Sequence, residues 1–244
     1  MGPYIAAAKD ETENISKELR KSYPEYNFKY GYVFYRDPID SRNDVHQVIN
    51  LTDNVNSLPE KIQKIKAEGG GDLPEDWVGA YKKANNNISW RNGKRVIIYL
   101  ADAGAHGKEF TPYDKYIKEG GKLIKELEKC VEKKIKIFGY VITEDARNSF
   151  NKCQQLYRTN GGEYEICDFI QEKKNFSDFG KIRFYRCSSG EAERSLLKKR
   201  CMKESDFERC RRRMFDGERK WQKEINMKFK KRVLNSISTV VNKK

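Results

Sequence analysis

The chain has 244 residues, 37% hydrophobic and 35% charged, with 14 Tyr, 12 Phe and 3 Trp, so it can bury one sizeable core and is not a disordered chain throughout. No apolar run approaches 18 residues and the N-terminal "MGPYIAAAKDETE" lacks a basic stretch leading into an apolar one, which excludes a readable membrane span or secretory signal. The net charge of +14 is uneven: residues 181–244 hold 21 Lys+Arg against 8 Asp+Glu, leaving 29 against 28 in the rest, so a neutral body carries a basic tail.

In chain order, residues 4–21 read as a helix, because Ile5, Ala8, Thr12, Ile15 and Leu19 recur at steps of three and four behind Pro3. "FKYGYVFY", Phe28–Tyr35, is aromatic and β-branched and is expected to be a buried strand; "VHQVINLT" alternates like a second, short one. "SLPEKIQKIKA" reads as a helix opened by a Ser57–Glu60 capping box. The loop "GGGDLPEDW" follows, then a helix from about Glu75 to Ile88. "KRVIIYLADAG", Lys94–Gly104, has the continuous apolar run of a central parallel strand covered on both faces. A helix from Asp114 to Val131, a strand Lys134–Thr143, a helix 144–158 and a strand 162–170 complete the body. Residues 190–241 read as helical, with Trp221, Ile225, Phe229, Val233 and Ile237 stepping by four.

Strands alternating with helices predict an α/β fold with a mostly parallel sheet and a basic helical C-terminal extension. Ligands in such folds sit beyond the carboxyl ends of the strands, which places Asp37 and Asp102 on one rim, within reach of the glycine loop. That loop is a poor phosphate cradle: it carries Asp72, Glu75 and Asp76 where a P-loop needs lysine, and like charges repel. Asp72, Asp76 and Asp102 suit a hard cation such as magnesium, while Glu75 and Asp76 equally suit a helix N-terminus. His106, in "DAGAHGK", reads either as a general base or as a structural loop histidine. No G-x-S-x-G motif or Cys–His pairing points to a nucleophile. Six widely spaced cysteines without a CxxC argue for free thiols in the reducing cytoplasm rather than zinc or a disulfide framework.

The run "GGGDLPEDWVGAYKKANNNISWRNGKRVIIYLADAGAHGKEF", with "GYVFYRDPID" upstream, resembles the von Willebrand factor A domain of the type found beside alpha-kinases. The resemblance implies a Rossmann-like, three-layer α/β sandwich that is not an enzyme and binds partner proteins through a metal-ion-dependent adhesion site. It implies Asp72 and Asp102 as metal ligands, with Asp37, Asp76 and His106 around them. The family's Asp-x-Ser/Thr-x-Ser motif, on the first strand, has no counterpart here, so the resemblance implies a truncated domain with a degenerate site and weak or absent magnesium binding. The implied organisation is a domain over 1–172, a basic helical insertion over 173–223 and a closing helix over 224–244. Arg209, Arg211, Arg212, Arg213, Arg219 and Lys220, interleaved with Phe215 and Trp221, form an anion-binding candidate for nucleic acid or an anionic membrane. The alternative is a solvated face of a helix packed on the body.

Overall fold

The computed structural model describes residues 1–37, 46–65, 73–116, 118–169 and 204–243, with side chains in the last segment described at Asp216 and from Arg219 onward. In chain order the elements are α1 (Gly2–Ser22), β1 (Tyr30–Tyr35), β2 (His46–Thr52), α2 (Leu58–Gln63), α3 (Trp77–Asn87), β3 (Arg95–Ala101), α4 (Glu119–Glu132), β4 (Ile135–Val141), α5 (Glu144–Thr159), β5 (Tyr164–Asp168) and α6 (Glu204–Val241). This is a mixed α/β fold.

β3, β4 and β5 form a parallel sheet with β4 in the middle, each strand joined to the next through a helix. All seven residues of β4 are buried, because helices cover both faces. Alternate β4 residues serve the two sides, as the pleat requires. Ile135, Ile137 and Val141 join Trp77, Leu123, Leu127 and Phe150 of α3, α4 and α5. Phe138 and Tyr140 join Tyr4 and Leu19 of α1 and Ile225, Phe229 and Val233 of α6. Gly139 has no side chain because Phe150 occupies the space: a β-carbon there would stand 2.7 Å from Phe150 Cε1.

Among the described residues β1 and β2 form a separate antiparallel pair, so the described strands do not make one continuous parallel array. The expected buried strand over Phe28–Tyr35 begins at Tyr30, and all six residues of β1 are half-buried rather than buried. Its strand neighbour among the described residues is β2 alone.

Helix ends follow local chemistry. Asp76 caps α3, its carboxylate accepting from Gly79 N at 2.7 Å. Thr143 caps α5, which carries Glu144 and Asp145 in its first turn and Arg158 in its last, matching the helix dipole. The capping box expected at Ser57 does not form: Val55–Ser57 is a 3-10 turn, and the Ser57 hydroxyl donates to Asn54 O at 2.9 Å instead of accepting from the helix. α4 starts at Glu119, not Asp114, since Asp114 turns into the core to meet His106.

α6 is one unbroken helix of 38 residues, so the boundary expected at 223/224 falls inside it. The expected stripe packs on the body: Ile225, Phe229 and Val233 are buried, and Trp221 and Ile237 lie against the same cluster. α6 runs parallel to α1, through Gln222 to Pro3 O (2.8 Å), Asn226 to Asp10 (2.9 Å) and Lys230 to Glu18 (2.7 Å). Lys94 Nζ donates to the carbonyls of Val240 and Val241 at 2.6 and 2.9 Å, satisfying oxygens that the helix end leaves open. No described helix is long and apolar enough to cross a membrane.

Candidate functional site

The rim lies where β1 and β3 end. Asp37 follows β1 by two residues and Asp102 follows β3 directly. Glu75, at the end of the glycine loop, is stitched beside the loop after β3. Its N–H donates to Gly104 O at 2.8 Å, and its carbonyl accepts from His106 N at 3.3 Å. That parallel bridge fixes the start of α3 against the rim.

His106 is the centre of a buried cluster. Its Nε2 lies 2.6 Å from Asp37 and its Nδ1 3.2 Å from both oxygens of Asp114; the three side chains are only 7%, 5% and 2% exposed. Asp114 also accepts from Gly107 N at 2.5 Å, and the Tyr116 ring lies edge-on to the imidazole at 4.7 Å. Burial by itself would pull the His106 pKa down, but hydrogen bonds and charge from Asp37 and Asp114 outweigh it and raise the pKa above its ordinary value. Burial likewise opposes the Asp114 carboxylate, yet the backbone N–H groups of Gly107 and Tyr116 and the imidazole hold its pKa below the ordinary range. With both ring nitrogens facing carboxylates, His106 in this conformation has none free to take a proton from a substrate. It ties the loop after β1 to the loop after β3.

The other acids are engaged separately. Asp76 Oδ2 lies 2.7 Å from His46 Nε2 while its Oδ1 caps α3. Asp102 Oδ2 lies 2.5 Å from the α-amino group of Met1, and the Asp102 carbonyl accepts from the Thr143 hydroxyl. Tyr35 sits among these charges: burial raises its pKa, and Glu75, Asp102 and Asp76 raise it further. Asp76 and Asp102 thus act on one ring but pair with different groups, the His46 imidazole and the Met1 α-amino group.

Asp37 and Asp76 are each engaged by a histidine nitrogen of this chain, so neither is an unengaged donor for a metal. Among the described residues no group of three or more His, Cys, Asp or Glu is arranged to hold an ion. Asp72 lies outside the described residues, as do the side chains of Arg209, Arg211, Arg212 and Arg213. Arg219 and Lys220 are exposed on α6, and Arg219 pairs with Asp216 at 2.6 Å.

Sequence reading placed Asp37, Asp76, Asp102 and His106 near one rim but missed Asp114 and His46. Asp114 could have been suspected as an acid eight residues from His106 within the same loop; His46 and Asp76 are 30 residues apart with no shared pattern. Cys130 and Cys153 are free and buried, and burial pushes the Cys130 thiol up to about 12, far from a reactive thiolate.

No family model matches the chain. Over 111 residues it is 28% identical to an alpha-protein kinase, vwkA, of Dictyostelium discoideum. The match takes in 45% of this chain and 17% of that kinase, so the chain corresponds to a small part of the relative's length.

Proposed function

We propose that the chain is a non-enzymatic protein-interaction module of von Willebrand factor A type, a three-layer α/β sandwich with a degenerate metal-ion-dependent adhesion rim. In this reading it is a regulatory piece of an alpha-kinase-type architecture. The observation that supports the proposal is the rim itself: Glu75 and the head of α3 are hydrogen-bonded alongside the loop after β3, which brings Glu75 and Asp76 beside the loop that follows Asp102. The similarity to part of an alpha-protein kinase supports the architectural context.

The rim is expected to bind magnesium weakly or not at all, since Asp37 and Asp76 already pair with histidines of this chain. Isothermal titration with magnesium chloride tests this; affinity in the micromolar range refutes the degenerate site. For the interaction role, partners captured by proximity labelling are purified and their affinity for the chain is measured with Asp102→Ala and with Arg219→Glu/Lys220→Glu. At least tenfold weakening by Asp102→Ala with little effect of the α6 changes supports a rim-mediated module. The reverse pattern refutes it.

A second reading rests on the charge of residues 181–244, 21 basic against 8 acidic. Under it, the N-terminal half of α6 binds a polyanion such as nucleic acid. Retention on heparin that falls steeply with salt, and falls further on neutralising Arg211–Arg213, supports this reading. Salt-insensitive elution identical for wild type and variant excludes it.

A further inference from the structure

The connection between β3 and α4 is fixed from within. Thr111 Oγ1 donates to Ala105 O at 2.8 Å, the N–H groups of Phe110 and Thr111 reach Gly107 O at 2.9 and 2.8 Å, and Asp114 N reaches Thr111 O at 3.0 Å. Ser149 Oγ on α5 accepts from Ala105 N at 2.9 Å, and Phe110 is buried in the core beneath. His106 and Asp114 close the same loop. A loop so tied has little freedom left to lose when something docks on it. Its outer face carries Lys108, Pro112, Tyr113, Lys115, Tyr116 and Lys118, all exposed.

Apolar surface and charge both single this face out. Among the described residues four large hydrophobic side chains are exposed, and three lie on the rim loops: Leu73 at 60%, Tyr113 at 66% and Tyr116 at 44%. Leu73 leads into Glu75, which is bridged to Ala105 of this loop. The acids of the loop and of the first turn of α4 are engaged: Asp114 is buried on His106, Glu119 pairs with Lys122 at 2.6 Å, and the Glu109 carboxylate lies over Gly120 at the head of α4. Lys108, Lys115 and Lys118, in contrast, have no acidic partner among the described residues. Lys118 moreover stands at the N-cap of α4, where the helix dipole disfavours a cation, so helix formation does not account for it.

We infer that this loop docks an acidic segment of a partner protein: Lys108, Lys115 and Lys118 attract its carboxylates, and Tyr113 and Tyr116 receive an apolar residue lying among those carboxylates. Tyrosine suits its role because the ring offers contact area at the cost of two torsions while the hydroxyl stays in water. The lysines act as exposed charges that steer the encounter and are screened by salt. The sign of the unpaired charge makes the partner segment acidic and not basic. The inference deepens the rim reading by giving the partner's chemistry, and it rests on that reading for the partner being a protein.

The test uses the full chain and a ten-residue synthetic peptide, Asp and Glu at seven positions around Leu-Pro-Leu, with a copy in which Asn and Gln replace the acids. Fluorescence anisotropy at low and high salt follows binding. The expected result is saturable binding of the acidic peptide, weakened at least tenfold by high salt, in the amide copy, in Lys115→Gln/Lys118→Gln and in Tyr113→Ser. Melting temperatures within about 2 °C of wild type show that the variants fold. Lys64→Gln/Lys82→Gln, at exposed lysines elsewhere, and neutralised Arg211–Arg213 leave affinity within twofold. Absent binding, equal binding of the two peptides, unchanged affinity in either loop variant, or a loss as large in the control variants overturns the inference. Single-stranded RNA that binds more tightly than the peptide and is lost in the loop variants assigns the loop to nucleic acid and also overturns it. Asp102→Ala separates the two proposals: it leaves peptide binding within twofold, whereas the rim reading requires it to weaken the captured partner. A peptide that fails to bind while the partner still depends on Asp102 overturns this inference alone. A peptide held by the loop with a partner indifferent to Asp102 overturns the rim reading alone.

Discussion

Replacing His106 with alanine leaves two buried carboxylates, Asp37 and Asp114, without their shared cation. Removing one partner from a buried ion pair costs about 3–5 kcal/mol, much of it the penalty on the charge left behind. Asp114 keeps its Gly107 N–H bond, which argues for the low end, about 3 kcal/mol. For a protein of this size that corresponds to a melting temperature lower by about 6–12 °C. The pH dependence has a defined sign. The folded pKa of His106 is raised, so its contribution is fully present below the ordinary imidazole pKa of about 6.5 and is lost as pH rises through the folded value. Asp114 is lowered, so its contribution is present above the ordinary carboxylate range and is lost as pH falls through its folded value. Urea unfolding from about pH 5 to about pH 9 should therefore show wild type losing stability on the alkaline side while His106→Ala stays flatter. His106→Leu combined with Asp37→Asn should recover part of the loss, because it removes a stranded charge. A melting temperature within about 2 °C of wild type at about pH 6, or parallel pH profiles for the two proteins, refutes the clamp.

Gly139→Ala should destabilise by roughly 1–3 kcal/mol, since the new methyl group collides with Phe150 in a strand closed on both faces; chemical denaturation with an unchanged m-value checks it. Phe229→Ala should cost about 3–5 kcal/mol and raise proteolysis within α6, because Phe229 anchors that helix among Tyr140 and its neighbours; limited trypsin digestion and thermal melting measure both. Asp76→Ala should cost about 2 kcal/mol, from the lost cap of α3 and the lost His46 contact, with Asp76→Asn recovering about half; no change in melting temperature would contradict the capping geometry.

What could be read from the residues and what could not separate along physical lines. β4 was legible as a strand from "KIKIFGYVIT", whose apolar run is broken only at Lys136, but the central place covered on both faces was expected of β3 and is found at β4, because β3 lies at the edge of the described three-stranded sheet. The stripe on α6 was legible because a helix docked on a core must repeat its apolar residues near every fourth position. Asp76 could be assigned as a cap from local order alone, since capping acts over three residues. Ser57 satisfied the same kind of pattern and failed, because the preceding 3-10 turn had already turned its hydroxyl away. β1 looked buried because aromatic and β-branched residues fill it, but burial depends on the neighbours a strand finds. The rim was legible as a place and not as a set of bonds. Asp37 to His106, His46 to Asp76 and Asp102 to Met1 join residues 30 to 101 positions apart, and no local rule specifies such partners.

The pairing of α1 with α6 has a consequence for how the chain is made. Pro3 and Asp10 meet their partners Gln222 and Asn226 at separations of 219 and 216 residues. At about 5–20 residues per second, a ribosome needs roughly 10–40 s to produce the partner after the first helix has emerged. Through that interval the apolar face of α1, with Tyr4, Ile15 and Leu19, lacks the Ile225–Phe229–Val233 stripe that later covers it. The nascent chain therefore completes this core late, by closing α1 and α6 onto each other, and its folding should be slow and sensitive to chaperone supply.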